Sequence, residues 1–235
     1  YLRTNPRPNC YLRELPVVTD TKFVERHKGI LSELLPIAAP QTVGPDVSSF
    51  ESRFGFRLKQ PLLRLRFLDL TLAARFGFPI DDFATPLDAA AKFPFENISV
   101  VVVENEMTFL TLPPLPEALA IFGAGDAAAR LASIKWLGCC RLYYWGDLDS
   151  HGFEILSSLR NHFPHVVSVL MDEQTLADHT AFAVKAARTR SKESLRLTPD
   201  ELALYEKLVS ADTLLEQERI HSEFSTPRLK SALQC

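Results

Sequence analysis

Between residues 95 and 172 the chain alternates two hydrophobic patterns. "NISVVVVE" (97–104) is an unbroken β-branched run, the mark of a strand covered on both faces. "EALAIFGAG" (117–125) reads as a second strand ending in a turn at Gly123 and Gly125, and "CRLYYWGDLD" (140–149) as a third. "HVVSVLMD" (165–172) reads as a fourth, ending in Asp172. The intervening pieces have helical periodicity. "DAAARLASIKWL" turns Leu131, Ile134 and Leu137 inward, and "GFEILSSLRNHF" turns Phe153, Leu156, Leu159 and Phe163 to one side. Strands alternating with helices of this length predict parallel βαβ units: an α/β fold with a parallel sheet of about four strands flanked by helices.

The flanks differ in pattern. Residues 1–50 are punctuated by proline, with one amphipathic helix expected from Thr19 or Asp20 through Leu35 and a loop over 36–49. Residues 51–70 interleave Arg53, Arg57, Lys59, Arg64 and Arg66 with Phe and Leu, and "LLRLRFLDL" alternates like a half-buried strand. That basic face is either a solvated strand edge or a surface that touches phosphates. After 185 the chain turns helical and charged. "TPDELALYEKLVS" opens on a capping-box pair, Thr198 and Glu201, and "DTLLEQERIHSEF" is expected to form a further helix. The expected division is an accessory or linker segment, 1–93, followed by a catalytic domain with C-terminal helices, 94–235.

With 235 residues, 46% hydrophobic and 23% charged, the chain has the means to bury a core. A net charge of −3 advertises no global basic field, although a local basic groove can sit on an acidic protein. The four cysteines, Cys10, Cys139, Cys140 and Cys235, include no CxxC pair, which argues against a structural zinc site and a disulfide framework. No apolar run approaches the roughly 20 residues of a membrane span, and a reduced cytoplasmic setting is the expectation. The chain opens at Tyr1 without an initiator Met and is expected to be part of a longer protein.

The candidate chemistry lies where strands end. In parallel α/β sheets, ligands bind outside the carboxyl ends of the strands. Glu104, the Gly123–Gly125 turn, Asp147 with Asp149, and Asp172 all fall at such ends. Asp147 and Asp149 are two apart, so in extended chain their side chains point the same way. Gly146 and Gly152 are read as freeing the backbone on either side of them. Crowded carboxylates need a counter-charge, and the natural one is a hard divalent cation, Mg²⁺ or Mn²⁺, in a site suited to phosphoryl chemistry. Each piece has a plainer reading. The DxD pair is compatible with a surface turn, Glu106 with the first turn of a helix, and Asp172 with an N-cap for "EQTLADH". His151 is open between a local hydrogen bond and a phosphate or metal contact.

The order strand-Glu, Gly turn, strand-DxD resembles the Toprim domain, the metal-binding module of topoisomerases, primases and some nucleases. "VVVENEMTFLTLP", "IFGAG", "YYWGDLDSHGFEILSSLRNHFPHV", "LEQERI" and "NPRPNCYLRELPVVTDTKFVERHKGIL" are more closely similar to the D subunit (JetD) family of Wadjet, a bacterial plasmid-defence system. The resemblance implies a Toprim (Rossmann-like) endonuclease that cleaves double-stranded plasmid DNA beside an SMC-type complex. It also implies a homodimer with an upstream arm and winged-helix region. By the same resemblance Glu104 matches the Toprim glutamate, Asp147 and Asp149 its metal-holding DxD, and Glu218 in "LEQERI" another family motif, with a helix-surface role as its alternative. Asp126 departs from the aromatic the family leads one to expect. Tyr143 and Tyr144 lie inside a strand, a poor place for a topoisomerase nucleophile, so hydrolysis is the expected reaction. Two competitors stand: a haloacid-dehalogenase-type phosphatase, in which Asp147 is the nucleophile, and a non-catalytic Toprim module for DNA binding or assembly. The strand-Glu upstream and "SHG" downstream favour the Toprim pattern over the phosphatase.

Overall fold

A computed structural model describes every residue except 17–19, 21, 124–129, 187–193 and 235. The expected helix start at Thr19, the turn residue Gly125, the unusual Asp126 and the first four residues of the helix expected over 126–137 lie outside the described residues. The chain divides into two compact units, Tyr1–Pro61 and Leu62–Cys235.

The first unit is helical, with short helices Phe23–Arg26, Lys28–Ala38 and Phe50–Phe54. Its core gathers Leu12, Val24, Phe54 and Phe56, with Phe23, Leu31, Leu35 and Phe50 packed against them. The single amphipathic helix expected here is broken at His27, and its second part continues through Pro36 into the expected loop. Ser49 caps the last helix by accepting a hydrogen bond from the Ser52 N–H, and Gly55, in the left-handed region at φ 71°, ends it. The guanidinium of Arg53 lies 5.2 Å from the Phe54 ring centre, and that of Arg57 the same distance from Tyr11. Arg57 and Lys59 are exposed.

The second unit is built on a mixed six-stranded sheet. Its strands are β1 (Leu62–Phe67), β2 (Asp82–Pro86), β3 (Ser99–Val103), β4 (Ala118–Phe122), β5 (Arg141–Trp145) and β6 (Val167–Ser168), in the order β2-β1-β4-β3-β5-β6. The four strands expected from the hydrophobic pattern, β3 to β6, are mutually parallel. β1 and β2 extend the sheet on the β4 side in antiparallel pairing, so residues 62–86, grouped with the accessory segment on sequence grounds, belong to the sheet. The physical reason is legible in burial: β1 alternates buried positions with partly exposed ones, while β3 is buried at every residue.

β6 is shorter than expected. It stops at Ser168, and Leu170 adopts a left-handed φ of 60°, so Asp172 follows a bend and not a strand tip. The helix expected over 212–224 is also replaced. Asp212, at φ 47°, ends the helix Pro199–Ala211. The chain then forms β8 (Thr213–Leu214), paired with β7 (Val184–Lys185), a 3₁₀ turn at Gln217–Arg219 and the helix Ser222–Leu233.

One buried cluster runs through this unit, from Leu65, Phe67 and Phe95 across Val100–Val103 to Leu142, Tyr144, Phe153 and Leu156. A buried ion pair ties its far side: Arg160 reaches both oxygens of Glu201, at 2.5 and 2.9 Å, and Ser168 donates to the same carboxylate. Among the described residues no helix is long and apolar enough to cross a membrane.

Candidate functional site

β3 and β5 are hydrogen-bonded neighbours with Val103 opposite Trp145, so Glu104 and Gly146 leave the sheet side by side. From β3 the chain passes to β4 on one side, and from β5 it passes to β6 on the other. The strand order therefore reverses at the β3/β5 pair, which opens a crevice at their carboxyl ends. Sequence separation of roughly forty residues thus becomes adjacency for Glu104 and the Asp147–Asp149 turn.

A different donor holds each of the three carboxylates. Tyr144, fully buried in β5, donates its hydroxyl to Oε1 of Glu104. The main-chain N–H of Gln217 donates to Oδ1 of Asp147 at 2.7 Å. Asp149 is the N-cap of the helix Ser150–His162 and accepts from Gly152 N–H at 2.8 Å. The two glycines matter for space more than for conformational freedom, since neither has a positive φ. A Cβ on Gly146 would overlap the Tyr144 hydroxyl and Glu104 Oε1, and one on Gly152 would overlap the carbonyl oxygen of Asp147.

The electrostatics follow from crowding in a half-buried place. Burial pushes Glu104 up from 4.5 to about 7. Tyr144 opposes that shift, whereas the charges of Asp147 and Asp149 add to it. Burial also raises Asp147 and Asp149, and Glu216 and Glu218 push Asp147 further in the same direction. His151, exposed in the first turn of its helix, offsets part of the charge at Glu104 and Asp149.

Gln217, which sequence reasoning passed over, ties this arrangement together. Its side chain is almost fully buried: Oε1 accepts from Asn105 N–H at 2.8 Å, and Nε2 donates to the carbonyl of Trp145. Asn105 in turn donates from its side chain to Glu218 at 2.8 Å. The segment is also anchored by a two-bond bridge between Leu148 and Leu215, at 2.9 and 3.1 Å. Only a local motif, "LEQERI", hinted that this stretch belongs here, and its patterning suggested a helix. Tyr144 was likewise read only as a strand residue.

Other candidates lie elsewhere. Glu106 starts the helix Glu106–Thr111 and pairs with Arg64 at 2.6 Å. Arg64 also makes a two-pronged pair with Asp82, and Arg66 donates to the carbonyls of Phe109 and Leu110. These two guanidiniums have partners within the fold. Asp172 accepts from Thr175 N–H at 2.7 Å as the N-cap of Glu173–Asp178 and lines a cavity with Arg160, Arg196 and Glu201.

The donor set suits a hard divalent cation: carboxylate oxygens, half-buried, repelling one another. Among the described residues no three His, Cys, Asp or Glu side chains are gathered tightly enough to enclose an ion alone. Mg²⁺ does not require such a cage, because it keeps several waters and takes one or two carboxylates together with substrate phosphates.

The family described as "Wadjet protein JetD, C-terminal" matches residues 55–229, most of the chain and all of this site. The chain belongs to the JetD family. A second family, described as an uncharacterized protein conserved in bacteria, N-terminal, matches residues 1–36, so the JetD match lies largely in the sheet-bearing unit. A search of curated proteins gave no match.

Proposed function

We propose that this chain is a divalent-metal-dependent DNA endonuclease of a Wadjet plasmid-defence system, with its sheet serving as a Toprim-type catalytic domain. The observation that carries the reading is the meeting of Glu104 with the Asp147–Asp149 turn at the carboxyl ends of two adjacent parallel strands, within a chain of the JetD family. Glu104, Asp147 and Asp149 would supply carboxylate oxygens to Mg²⁺ or Mn²⁺, whose remaining positions go to water and a substrate phosphate, with Glu218 at the rim; Asp172, in its own cavity, is left out of the set. When bound, the ion supplies Lewis-acid polarisation of a backbone phosphate.

The chain's own residues do the rest. Tyr144 holds Oε1 of Glu104 and leaves Oε2 free for the ion and the water it would carry. His151, exposed in the first turn of the helix that Asp149 caps, is proposed to contact a DNA phosphate. Arg57 and Lys59, exposed in the first unit, and Arg196, exposed in the second, are each proposed as separate contacts to the DNA backbone outside the catalytic site. Proposed partners are double-stranded plasmid DNA, the SMC-type subunits of the defence complex and a second copy of the chain, in the cytoplasm where plasmids reside.

The test is cleavage of supercoiled plasmid with Mg²⁺ or Mn²⁺. Glu104→Ala and Asp149→Ala should abolish it without loss of folding, as should a chelator. Metal-independent cleavage retained by both variants would overturn the reading.

A further inference from the structure

Past Val103 and Trp145 the hydrogen-bond ladder between β3 and β5 ends, because the two chains turn away in opposite directions. The Asn105 N–H and the Trp145 carbonyl would be left there without a rung. The amide of Gln217 supplies one: its oxygen takes the Asn105 N–H and its nitrogen meets the Trp145 carbonyl. Each contact lies within two residues of a carboxylate, Asn105 directly after Glu104 and Trp145 two before Asp147. The main-chain N–H of the same residue holds Asp147 itself. One buried residue therefore touches the backbone beside both carboxylates and one of the carboxylates directly.

We propose that Gln217 is a positioning residue that sets the spacing of Glu104 and Asp147 for a divalent cation; this rests on the metal-site reading above. Holding the segment in place is a separate task, done by the Leu148–Leu215 backbone bridge. Removal of the Gln217 amide should therefore loosen the relation between the two carboxylates and leave the fold standing. Groups that orient metal ligands typically change affinity by about 10–100-fold when removed, and a change of that order is expected here.

The experiment is Mn²⁺ binding to the full chain by calorimetry, with a thermal melt of each sample. It compares wild type, Glu104→Gln and Gln217→Met, which keeps length but loses both amide hydrogen bonds. The expected result is binding by wild type, loss of binding in Glu104→Gln, and binding about 10-fold weaker or more in Gln217→Met with a cooperative melt. Absence of Mn²⁺ binding in wild type would defeat the metal reading and the inference with it. Binding in wild type that is unchanged in Gln217→Met would defeat the inference alone. Should Gln217→Met lack a cooperative melt, Gln217→Asn, which keeps the amide but draws it back by one methylene, is measured in its place and should also weaken binding. Unchanged affinity there, or loss of folding in both variants, would assign Gln217 a purely structural role.

Discussion

Glu104 is the residue at which burial, hydrogen bonding and like charge meet, and its protonation should be visible in stability. Burial pushes its carboxyl up to about 7 in the folded chain, against 4.5 for an exposed glutamate. The folded state therefore keeps the proton longer than the unfolded chain does. With respect to this group, stability is fully present below about 4.5 and declines as pH rises towards about 7. The cost is on the order of 3 kcal/mol in metal-free buffer. Glu104→Gln should remove that decline, and urea titrations at several pH values, wild type against variant, read the difference directly. An identical pH dependence in the two proteins would show that Glu104 is not the shifted group. Metal binding should run against the same protons, so Mn²⁺ affinity should be weaker at about pH 5.5 than at about pH 8. Glu104, Asp147 and Asp149 were legible as a set because each ends an apolar run. Tyr144 and Gln217 were not, because a buried tyrosine in a strand and a glutamine in a charged stretch have no local signature. Their roles arise from pairing across the sheet, which no spacing rule reports.

At the scale of elements, parallel strands place the chemistry and the turn after β5 shapes it. Burial on both faces made β3 and β5 readable from residue type alone, whereas β6, cut short at Ser168 by the bend at Leu170, looked longer than it is. The helix expected around "LEQER" failed because tertiary hydrogen bonds to Asp147, Asn105 and Trp145 outweigh local helical preference. In the DxD turn the Asp147 carbonyl oxygen lies 2.2 Å from where a Cβ on Gly152 would sit, which leaves no room for a methyl group. Gly152→Ala should cost about 1–3 kcal/mol in stability and displace Asp147, with plasmid cleavage falling more than folding does. A fully stable, fully active Gly152→Ala would contradict the packing described. The Arg160–Glu201 pair makes a contrasting case. Burial alone would raise Glu201, yet hydrogen bonds from Arg160, Ser168 and Thr198 hold it down at about 2. Arg160→Leu should destabilise the fold by about 3–5 kcal/mol through the stranded carboxylate, as measured by chemical denaturation.

The whole molecule is two units, and the site lies entirely in the second. The mixed sheet, the helix Ser150–His162 and the C-terminal segment that carries Gln217 all fall within residues 62–235. A fragment beginning at Leu62 should therefore melt cooperatively and retain Mn²⁺ binding, and a fragment beginning at 94 should not, because it removes β1 and β2 from the sheet. Sequence pattern found the parallel strands and read "LLRLRFLDL" as a half-buried strand, which β1 is, but not that β1 and β2 join the sheet, because alternation reports a strand's faces and not its neighbours. On the proposal above, the carboxylates at the tips of β3 and β5 would cut DNA with a divalent cation. The most direct measurement is conversion of supercoiled plasmid by the full-length protein in Mg²⁺ or Mn²⁺, wild type against Glu104→Ala. Cleavage by wild type that chelator abolishes, with none by the folded variant, is the expected result. Equal cleavage by both, or cleavage indifferent to chelator, would contradict it.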